Sequence, residues 1–258
     1  MSSQIRHHQL LGILKNNPTV KVSDLAIQFQ VSESTIRRDL SKLENIGMVR
    51  RVHGGALIEN STASEPPFEV RRVTNQEEKV KVGEAAASLV KDDYTIFIDG
   101  GTTTPFIVPH LNNVKNLTVV TIGLNVAYQL ASLPSVHTIQ VGGELDLNTW
   151  VYAGPLSIQA LNNCGLSFDL AFISAVGVSA EYGATNQILN RIPQKQKAIE
   201  LSRMIAIVVD GSKIGKVSTA SIVPLQSVDF LITDKSASEE DLFLIQKLGI
   251  DVILAEKD

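Results

Sequence analysis

One stretch of the sequence combines the residue types that hold an anion through backbone and hydroxyl groups. A β-prone run at residues 95–98 is followed directly by Asp-Gly-Gly-Thr-Thr-Thr-Pro at residues 99–105. Glycines let the backbone approach a ligand, hydroxyls donate hydrogen bonds, and Pro105 can open a helix whose free N–H groups point back at the loop. The pattern predicts a phosphate cradle formed by Asp99, Gly100, Gly101, Thr102, Thr103 and Thr104.

This loop matches neither of two common phosphate motifs. It lacks the Gly-Lys-Ser/Thr ending of a P-loop and the third glycine of a dinucleotide fingerprint. A structural interpretation also stays open, because a tight turn in which Asp99 or a threonine caps a helix has the same composition.

Other polar, glycine-containing segments follow further β-prone runs. In an open α/β sheet the loops at the carboxyl ends of the strands meet at one edge, where ligands bind. Lys197 and Lys213 are candidate countercharges, although each could lie at the surface, and Asp210 and Lys213 could simply pair. Beyond residues 99–104, the predicted effector site comprises Thr121, Gly142, Gly143, Glu144, Gly177, Lys197, Asp210 and Lys213.

A second constellation, near the N-terminus, is typical of DNA recognition. Ser32 can cap a helix, and Ile36, Leu40 and Leu43 then fall at the spacing of one buried stripe. Arginines and small hydroxyl residues occupy the opposite face, where they can enter a major groove. The predicted DNA contacts on this helix are Ser32, Ser34, Thr35, Arg37, Arg38, Ser41 and Lys42.

The preceding segments predict the rest of a helix-turn-helix core. A first helix turns four aliphatic side chains inward, and Ser23 opens a second, short helix that ends at Phe29, with a short turn before the recognition helix. The inward residues of the first helix are Ile5, Leu10, Ile13 and Leu14.

A basic wing is predicted after the recognition helix. The segment from Met48 is β-prone and is closed by Gly54-Gly55. Arg50, Arg51 and His53 would contact phosphates or the minor groove there. An ion pair of the two arginines with Glu44 is the alternative.

Charge divides the 258-residue chain unevenly. Residues 1–58 hold eight Lys and Arg against four Asp and Glu, whereas residues 59–258 hold 15 against 23. An acidic region does not favour DNA, so nucleic-acid contact is confined to the first 58 residues.

Cysteine content and hydropathy bear on the cellular compartment of the protein. Cys164 is the only cysteine, and the N-terminus is polar, so neither a disulfide nor a secretion signal is indicated. Residues 116–143 contain no Asp, Glu, Lys or Arg, but no apolar run approaches the roughly 20 residues of a membrane span. We expect a cytoplasmic protein without a membrane partner.

The pattern of elements predicts two domains. Residues 1–58 form a winged helix-turn-helix domain, residues 59–76, rich in small polar residues and proline, form a linker, and residues 77–258 form an effector-binding and oligomerisation domain. Short Val/Ile-rich strands alternate with helices in the last segment, which indicates a largely parallel α/β sheet covered on both faces.

Taken together, these motifs make the chain similar to the DeoR family of transcriptional regulators. The resemblance rests on the order Ser34-Thr35-Ile36-Arg37-Arg38-Asp39-Leu40, His53-Gly54-Gly55-Ala56, Glu78-Lys79, Asp99-Gly100-Gly101-Thr102-Thr103-Thr104, Gly142-Gly143, Asp169 with Ala171-Phe172-Ile173, and Asp210-Gly211-Ser212-Lys213. It implies a sensor domain with the ribose-phosphate isomerase-like fold that binds a phosphorylated sugar and thereby weakens operator binding, with repression as the default outcome. The family usually has Thr-Asn where this chain has Thr121-Ile122.

Three function classes follow from these observations. The first is a DNA-binding regulator, a homodimer or homotetramer on a double-stranded operator, with a sugar phosphate as effector and no cofactor, metal or catalytic residue. The second is an active sugar-phosphate isomerase or deaminase, which needs a carboxylate over the substrate carbons; residues 176–180 offer none, although Asp99, Glu144 and Asp210 remain as candidate bases. The third is a regulator that senses a sugar acid.

Overall fold

The computed structural model describes residues 6–7, 9–10, 13–14, 20–45, 49–52, 55–58, 66, 68–163 and 165–256, with the backbone alone at 45, 50–52 and 55–58. Ile5, Gly54, Cys164 and the predicted DNA contact His53 lie outside the described residues. The chain divides into two compact units, Met1–Thr74 and Asn75–Asp258, which we call the head and the body.

The head has the predicted winged helix-turn-helix architecture. Helices α1 (Val22–Gln28) and α2 (Glu33–Asn45) are followed by an antiparallel hairpin of β1 (Val49–Val52) and β2 (Gly55–Ile58). Residues 6–7, 9–10 and 13–14 are helical as well. The core combines the first helix, α1 and α2 through Leu10, Leu14, Leu25, Ile36, Leu40 and Leu43, all at most 1% exposed.

Two details of the head differ from the sequence-based expectation. Ser23 does not open α1: the residue before the helix is Lys21, which makes no side-chain cap, and the Ser23 hydroxyl contacts Asp24 inside the helix. Helix α3 (Phe68–Val73) lies within the segment predicted as linker, and its Phe68 is buried. Burial of the Phe68 side chain stabilises a short helix that the small polar residues of this segment do not predict.

The body is built on one parallel sheet. Its seven strands are β3 (Thr95–Ile98), β4 (Thr118–Thr121), β5 (His137–Gln140), β8 (Phe168–Ile173), β11 (Ser202–Val208), β13 (Phe230–Asp234) and β14 (Asp251–Ala255). They lie in the order β14-β13-β11-β8-β3-β4-β5, and every neighbouring pair is parallel. Strand order reverses between β3 and β8, which is where open α/β sheets bind ligands.

Both faces of this sheet are covered, as predicted. Alternate side chains of β3 enter different apolar clusters, Phe97 on one face and Ile96 and Ile98 on the other. One face packs on α4 (Gln76–Ala87), a 3₁₀ helix (Thr104–His110) and α5 (Leu124–Leu130), and the other on α6 (Pro155–Asn163), α7 (Ile192–Glu200) and α8 (Glu239–Gln246).

Two small antiparallel assemblies were not expected from the sequence. The strands β6 (Glu144–Asp146) and β7 (Val151–Ala153) form a hairpin, and β9 (Gly177–Ser179), β10 (Gly183–Asn186) and β12 (Ala220–Val223) form a separate sheet. Strands of three or four residues are too short to show a period in the sequence. Among the residues that the structure describes, no helix has the length and apolar composition needed to span a bilayer.

Candidate functional site

The centre of the candidate site is the pair of strand ends at which strand order reverses. Asp99 follows β3 and Ser174 follows β8, and these neighbouring parallel strands bring the two residues together. One carboxylate oxygen of Asp99, Oδ2, accepts hydrogen bonds from the backbone N–H (3.0 Å) and the hydroxyl (2.7 Å) of Ser174. Asp99 is only 1% exposed, so the loop starts from a fixed, buried carboxylate.

A buried lysine from α7 balances this charge. Lys195 is 3% exposed, and its Nζ donates to Asp99 Oδ2, to the Ser174 carbonyl (2.8 Å) and to the Ser174 hydroxyl (3.0 Å). These contacts use all three of its N–H groups. Asp99 and Lys195 therefore form an ion pair without net charge at the start of the 99–104 loop.

Lys197, the lysine that the sequence predicts for the site, lies on another side of the same helix. Lys197 is separated from Lys195 by about 200° around the helix, and it pairs with Glu200 at 2.9 Å on the outer side of α7. The structure does not bring Lys197 to the strand ends. The helical spacing indicates that Lys195 is buried, because it lies three residues from both Ile192 and Ala198 on the buried face of α7.

The loop itself approaches neighbouring backbone closely. A Cβ built on Gly100 would lie 2.4 Å from Val151 Cγ2, and one on Gly123 would lie 2.8 Å from the Gly100 Cα. Gly101 has a φ of +138°, a region that favours glycine. Asn125 donates to the Gly101 carbonyl at 2.8 Å. Glycine is therefore needed at 100 and 101 for the loop to pack as it does.

The three threonines of the loop have different environments. Thr104 is fully buried, and its hydroxyl donates to the Asp99 carbonyl at 2.8 Å, so it shapes the loop. Thr102 and Thr103 are 8% and 7% exposed. Pro105 lies in the first turn of a helix, as the sequence predicts, and this helix is of the 3₁₀ type.

The 142–144 segment borders the same edge. Gly143 has a φ of +147°, and a Cβ there would lie 2.0 Å from the Ser157 hydroxyl oxygen, which itself donates to the Gly142 carbonyl at 2.6 Å. A Cβ on Gly142, in contrast, would meet no atom within 4 Å. Glu144 is exposed at the start of β6. Gly142 thus faces open space, whereas Gly143 is fixed by packing.

A second polar cluster lies along the edge, two strands from β3. Asp210 is 2% exposed and follows β11. Its Oδ1 accepts hydrogen bonds from Asn75 (2.9 Å) and from the backbone and hydroxyl of Ser212. Burial alone raises the pKa of Asp210, but the charge of Lys213, the bonds from Ser212 and Asn75, and the charge of Lys79 outweigh it and hold the pKa below its usual value. Asp210 is therefore ionised at neutral pH.

Three further positions are explained by the fold itself. The Thr121 hydroxyl accepts from the Gly123 backbone at 3.0 Å. Ile122 is 1% exposed and belongs to the apolar core. Gly177 is buried in β9, where a Cβ would lie 2.4 Å from the Lys216 carbonyl oxygen. Packing accounts for each of these without a ligand.

The head presents the predicted DNA-facing side chains on one surface of α2. The Ser32 hydroxyl accepts from the Thr35 backbone at 3.2 Å, as a helix cap does. Ser34, Arg37, Arg38 and Lys42 are exposed, while Ile36, Leu40 and Leu43 on the opposite side are at most 1% exposed. Ser41 is partly buried and donates to the Arg37 carbonyl at 2.8 Å.

Behind this surface, Asp39 ties α2 to the first helix. Asp39 is 2% exposed and accepts from Arg6 at 2.6 Å and contacts His7 at 2.8 Å. Burial raises the pKa of Asp39, but the bonds and charges of Arg6 and His7 outweigh it and leave the pKa below its usual value. In the wing, Arg50 and Arg51 pair with Leu57 and Ala56 across the hairpin.

Comparisons with known proteins match both units. A model described as the DeoR-like helix-turn-helix domain matches residues 6–62, and one described as the DeoR C terminal sensor domain matches residues 74–235. The chain is 34% identical over 251 residues to the HTH-type transcriptional regulator GolR of Listeria innocua, covering 97% of this chain and 98% of that protein. It is 31% identical over 234 residues to the glycerol-3-phosphate regulon repressor of Escherichia coli K12, covering 91% and 92%.

Solved structures show a more distant likeness. Ribose 5-phosphate isomerase A from Methanocaldococcus jannaschii is 16% identical, with a TM-score of 0.40, covering 54% of this chain and 55% of that one.

Proposed function

This chain belongs to the DeoR family of transcriptional regulators, and from that premise we propose that it is a repressor whose operator affinity falls when a phosphorylated sugar binds in the body. The geometry of the 99–104 loop is the observation that supports effector binding by the body. Asp99 is held in place by Lys195 and Ser174. Thr102 and Thr103 follow it in the loop that this ion pair anchors. Backbone amides and hydroxyls, rather than lysine charges, would then bind the phosphoryl group.

The exposed face of α2 supports the DNA half of the proposal. Arg37 and Arg38 are exposed on the side away from the apolar stripe, which is the geometry by which a recognition helix reads a major groove. The wing arginines, Arg50 and Arg51, add phosphate contacts that fix register.

Coupling between the two units needs more than one head. A single helix-turn-helix buries too little surface for tight specific binding, so we propose a homodimer or homotetramer on a repeated or palindromic operator. The sugar phosphate would favour a body arrangement in which the heads no longer match the operator spacing. Such a switch requires the ligand to prefer one arrangement by a few kcal/mol, about 5.5 kcal/mol for a change from 1:99 to 99:1.

We propose that the body binds without turnover. A proton abstraction next to a carbonyl needs a carboxylate that is free to accept the proton. Asp210 has a pKa below its usual value, Asp99 is paired with Lys195, and Glu144 is exposed at the start of β6. The segment 174–179 that leaves β8 contains no carboxylate. The relatives named above are regulators and repressors, which agrees with this proposal.

A matched pair of threonine substitutions tests the site. Thr103→Val removes the loop hydroxyl at nearly constant volume, and Thr138→Val makes the same change on β5, away from the loop. In gel shifts on DNA from upstream of the gene, we expect both variants to bind as the unchanged protein does. We expect only Thr103→Val to resist release by the phosphorylated sugar that releases the parent protein. A normal response of Thr103→Val would place the site elsewhere.

A further inference from the structure

Three buried side-chain oxygens near the 99–104 loop have no hydrogen-bond partner among the described residues. They are Asp99 Oδ1, Asn125 Oδ1 and Gln194 Oε1, and each exposes less than 1 Å². Asp99 and Gln194 are buried as whole residues, at 1% and 0% exposure. Buried acceptors are normally paired, because an unpaired one loses its water without compensation.

All three oxygens belong to the same edge of the sheet. Asn125 is hydrogen-bonded to Gly101 of the loop at 2.8 Å. Gln194 precedes Lys195, which holds Asp99, and its own Nε2 donates to the Gly154 carbonyl at 3.2 Å. Gly154 follows β7, whose Val151 contacts Gly100. Each unpaired oxygen therefore belongs to a residue that lies in the 99–104 loop or is linked to it through these contacts.

The direction of the two amides follows from their partners. In Asn125 and Gln194 the NH₂ group donates to a backbone carbonyl, so exchanging N and O would set two acceptors against each other. Their carbonyl oxygens must then be the free ends. Lys195 is no donor for a ligand either, because its three N–H groups are already bound to Asp99 and Ser174.

We propose that these oxygens accept hydrogen bonds from hydroxyl groups of the effector, and that Gln194 is a specificity-determining residue. This inference rests on the proposed function. A sugar acid presents a carboxylate, which cannot donate at neutral pH and would be repelled by a group of acceptors. A site built to pair a hydroxyl also rejects an analogue that lacks it, because its own buried groups are then left unpaired.

The burial of these three oxygens bears on how the protein responds to its effector. Because each exposes less than 1 Å², a hydroxyl reaches it only when the surrounding loops shift. Binding therefore selects a rearranged edge of the body, which is the differential preference that a ligand-driven switch requires.

The test uses the full-length protein and a panel of defined probes. Release of labelled upstream DNA is titrated with ribose 5-phosphate, glucose 6-phosphate and fructose 1-phosphate, with the single-deoxy derivatives of each, and with the sugar acid 6-phosphogluconate. We expect at least one deoxy derivative to require about 10-fold more ligand than its parent sugar, the loss that corresponds to one or more hydrogen bonds. We expect 6-phosphogluconate to be weaker than the sugar phosphates.

Two variants on α7 assign the effect to a residue. Gln194→Met removes the acceptor at similar volume, and Gln196→Met is the matched control, because Gln196 is exposed and bonds to Ile222 at 3.2 Å. We expect Gln194→Met to lose the discrimination between parent and deoxy sugar, and Gln196→Met to keep it. The deoxy series on the unchanged protein needs no variant, so a folding defect of Gln194→Met leaves the inference testable.

The outcomes separate the two proposals. If phosphorylated sugars release the DNA but parent and deoxy forms act equally, or 6-phosphogluconate acts as strongly, the inference is overturned and the proposed function stands. A folded Gln194→Met that still discriminates overturns the assignment to Gln194. If no phosphorylated compound in the panel changes DNA binding, the proposed function fails, and the inference fails with it.

Discussion

Lys195 and Lys197 stand two positions apart on one helix and have opposite roles. Lys195 is buried against Asp99 and Ser174, whereas Lys197 forms a surface pair with Glu200. A buried ion pair is strongly destabilising when one partner is removed, because the other charge stays in a medium that solvates it poorly. The Lys197–Glu200 pair contributes less, since water already solvates the exposed Glu200 carboxylate.

This contrast gives a prediction for stability. We expect Lys195→Met to lower the free energy of unfolding of the body by about 3–5 kcal/mol, and Lys197→Met to change it by less than about 0.5 kcal/mol. Adding Asp99→Asn to Lys195→Met should restore part of the loss, because the unpaired charge is then gone. Urea unfolding at neutral pH measures all three; equal effects of the two single lysine changes would contradict the assignment.

Asp39 is the corresponding residue of the head, and its contribution depends on pH. Its folded pKa is lowered by Arg6 and His7 against the opposing effect of burial. The stabilisation is therefore complete above the unfolded value of about 4 and is lost as the pH falls through the folded pKa.

We expect Asp39→Asn to destabilise the head by about 3 kcal/mol at neutral pH, while the exposed Asp24→Asn has little effect. The difference between Asp39→Asn and the unchanged protein should shrink as the pH falls below about 4. Urea titrations followed by the methyl NMR signals of Leu40 and Leu43 report on the head alone. A difference that persists unchanged at low pH would show that Asp39 acts through something other than its charge.

At the scale of elements, the strands and the recognition helix can be predicted from the sequence. The residues that contact Asp99 in the folded chain cannot. Alternation of short apolar strands with helices is visible in the sequence, so the strand end at Asp99 could be located. Its partner Lys195 is 96 residues away, and no local pattern links the two. The sequence predicts a loop at Gly177, because three-residue strands such as β9 show no period, and its packing on Lys216 appears only in the folded chain.

The two glycines after β5 give a prediction at this scale. Gly143→Ala places a Cβ 2.0 Å from the Ser157 oxygen at a φ of +147°, which we expect to destabilise the body by on the order of 1–3 kcal/mol. Gly142→Ala meets no atom within 4 Å, so we expect unchanged stability but a weakened effector response. Thermal unfolding and DNA release separate these effects. A Gly142→Ala protein with normal sensitivity would remove this segment from the proposed site.

The recognition helix and the wing should differ in how they use charge. We expect Arg38→Ala to reduce the preference for operator over random DNA by about 1–3 kcal/mol, and Arg51→Ala to leave that preference intact but to lower the salt slope by about 1. The exposed body residue Lys91→Ala is the control. Anisotropy titrations over a range of salt concentrations give both quantities, and a purely non-specific loss in Arg38→Ala would argue against base contact.

At the scale of the whole molecule, charge and chemistry are divided between the two units. The head, residues 1–74, carries 10 Lys and Arg against 7 Asp and Glu, whereas the body carries 13 against 20, which favours DNA contact by the head alone. In the body, neutral amides, hydroxyl groups and hydrogen-bond acceptors lie near the Asp99–Lys195 ion pair. The net charge of −4 conceals this division, and the matches to both family models agree with it.

The most direct test is release of the gene's own upstream DNA from the full-length protein, followed by fluorescence anisotropy at low salt. We expect tight binding without ligand and release by at least one phosphorylated sugar, while the same sugar without its phosphate has no effect. Failure to bind this DNA, or equal release by phosphorylated and unphosphorylated forms, would contradict the proposed function.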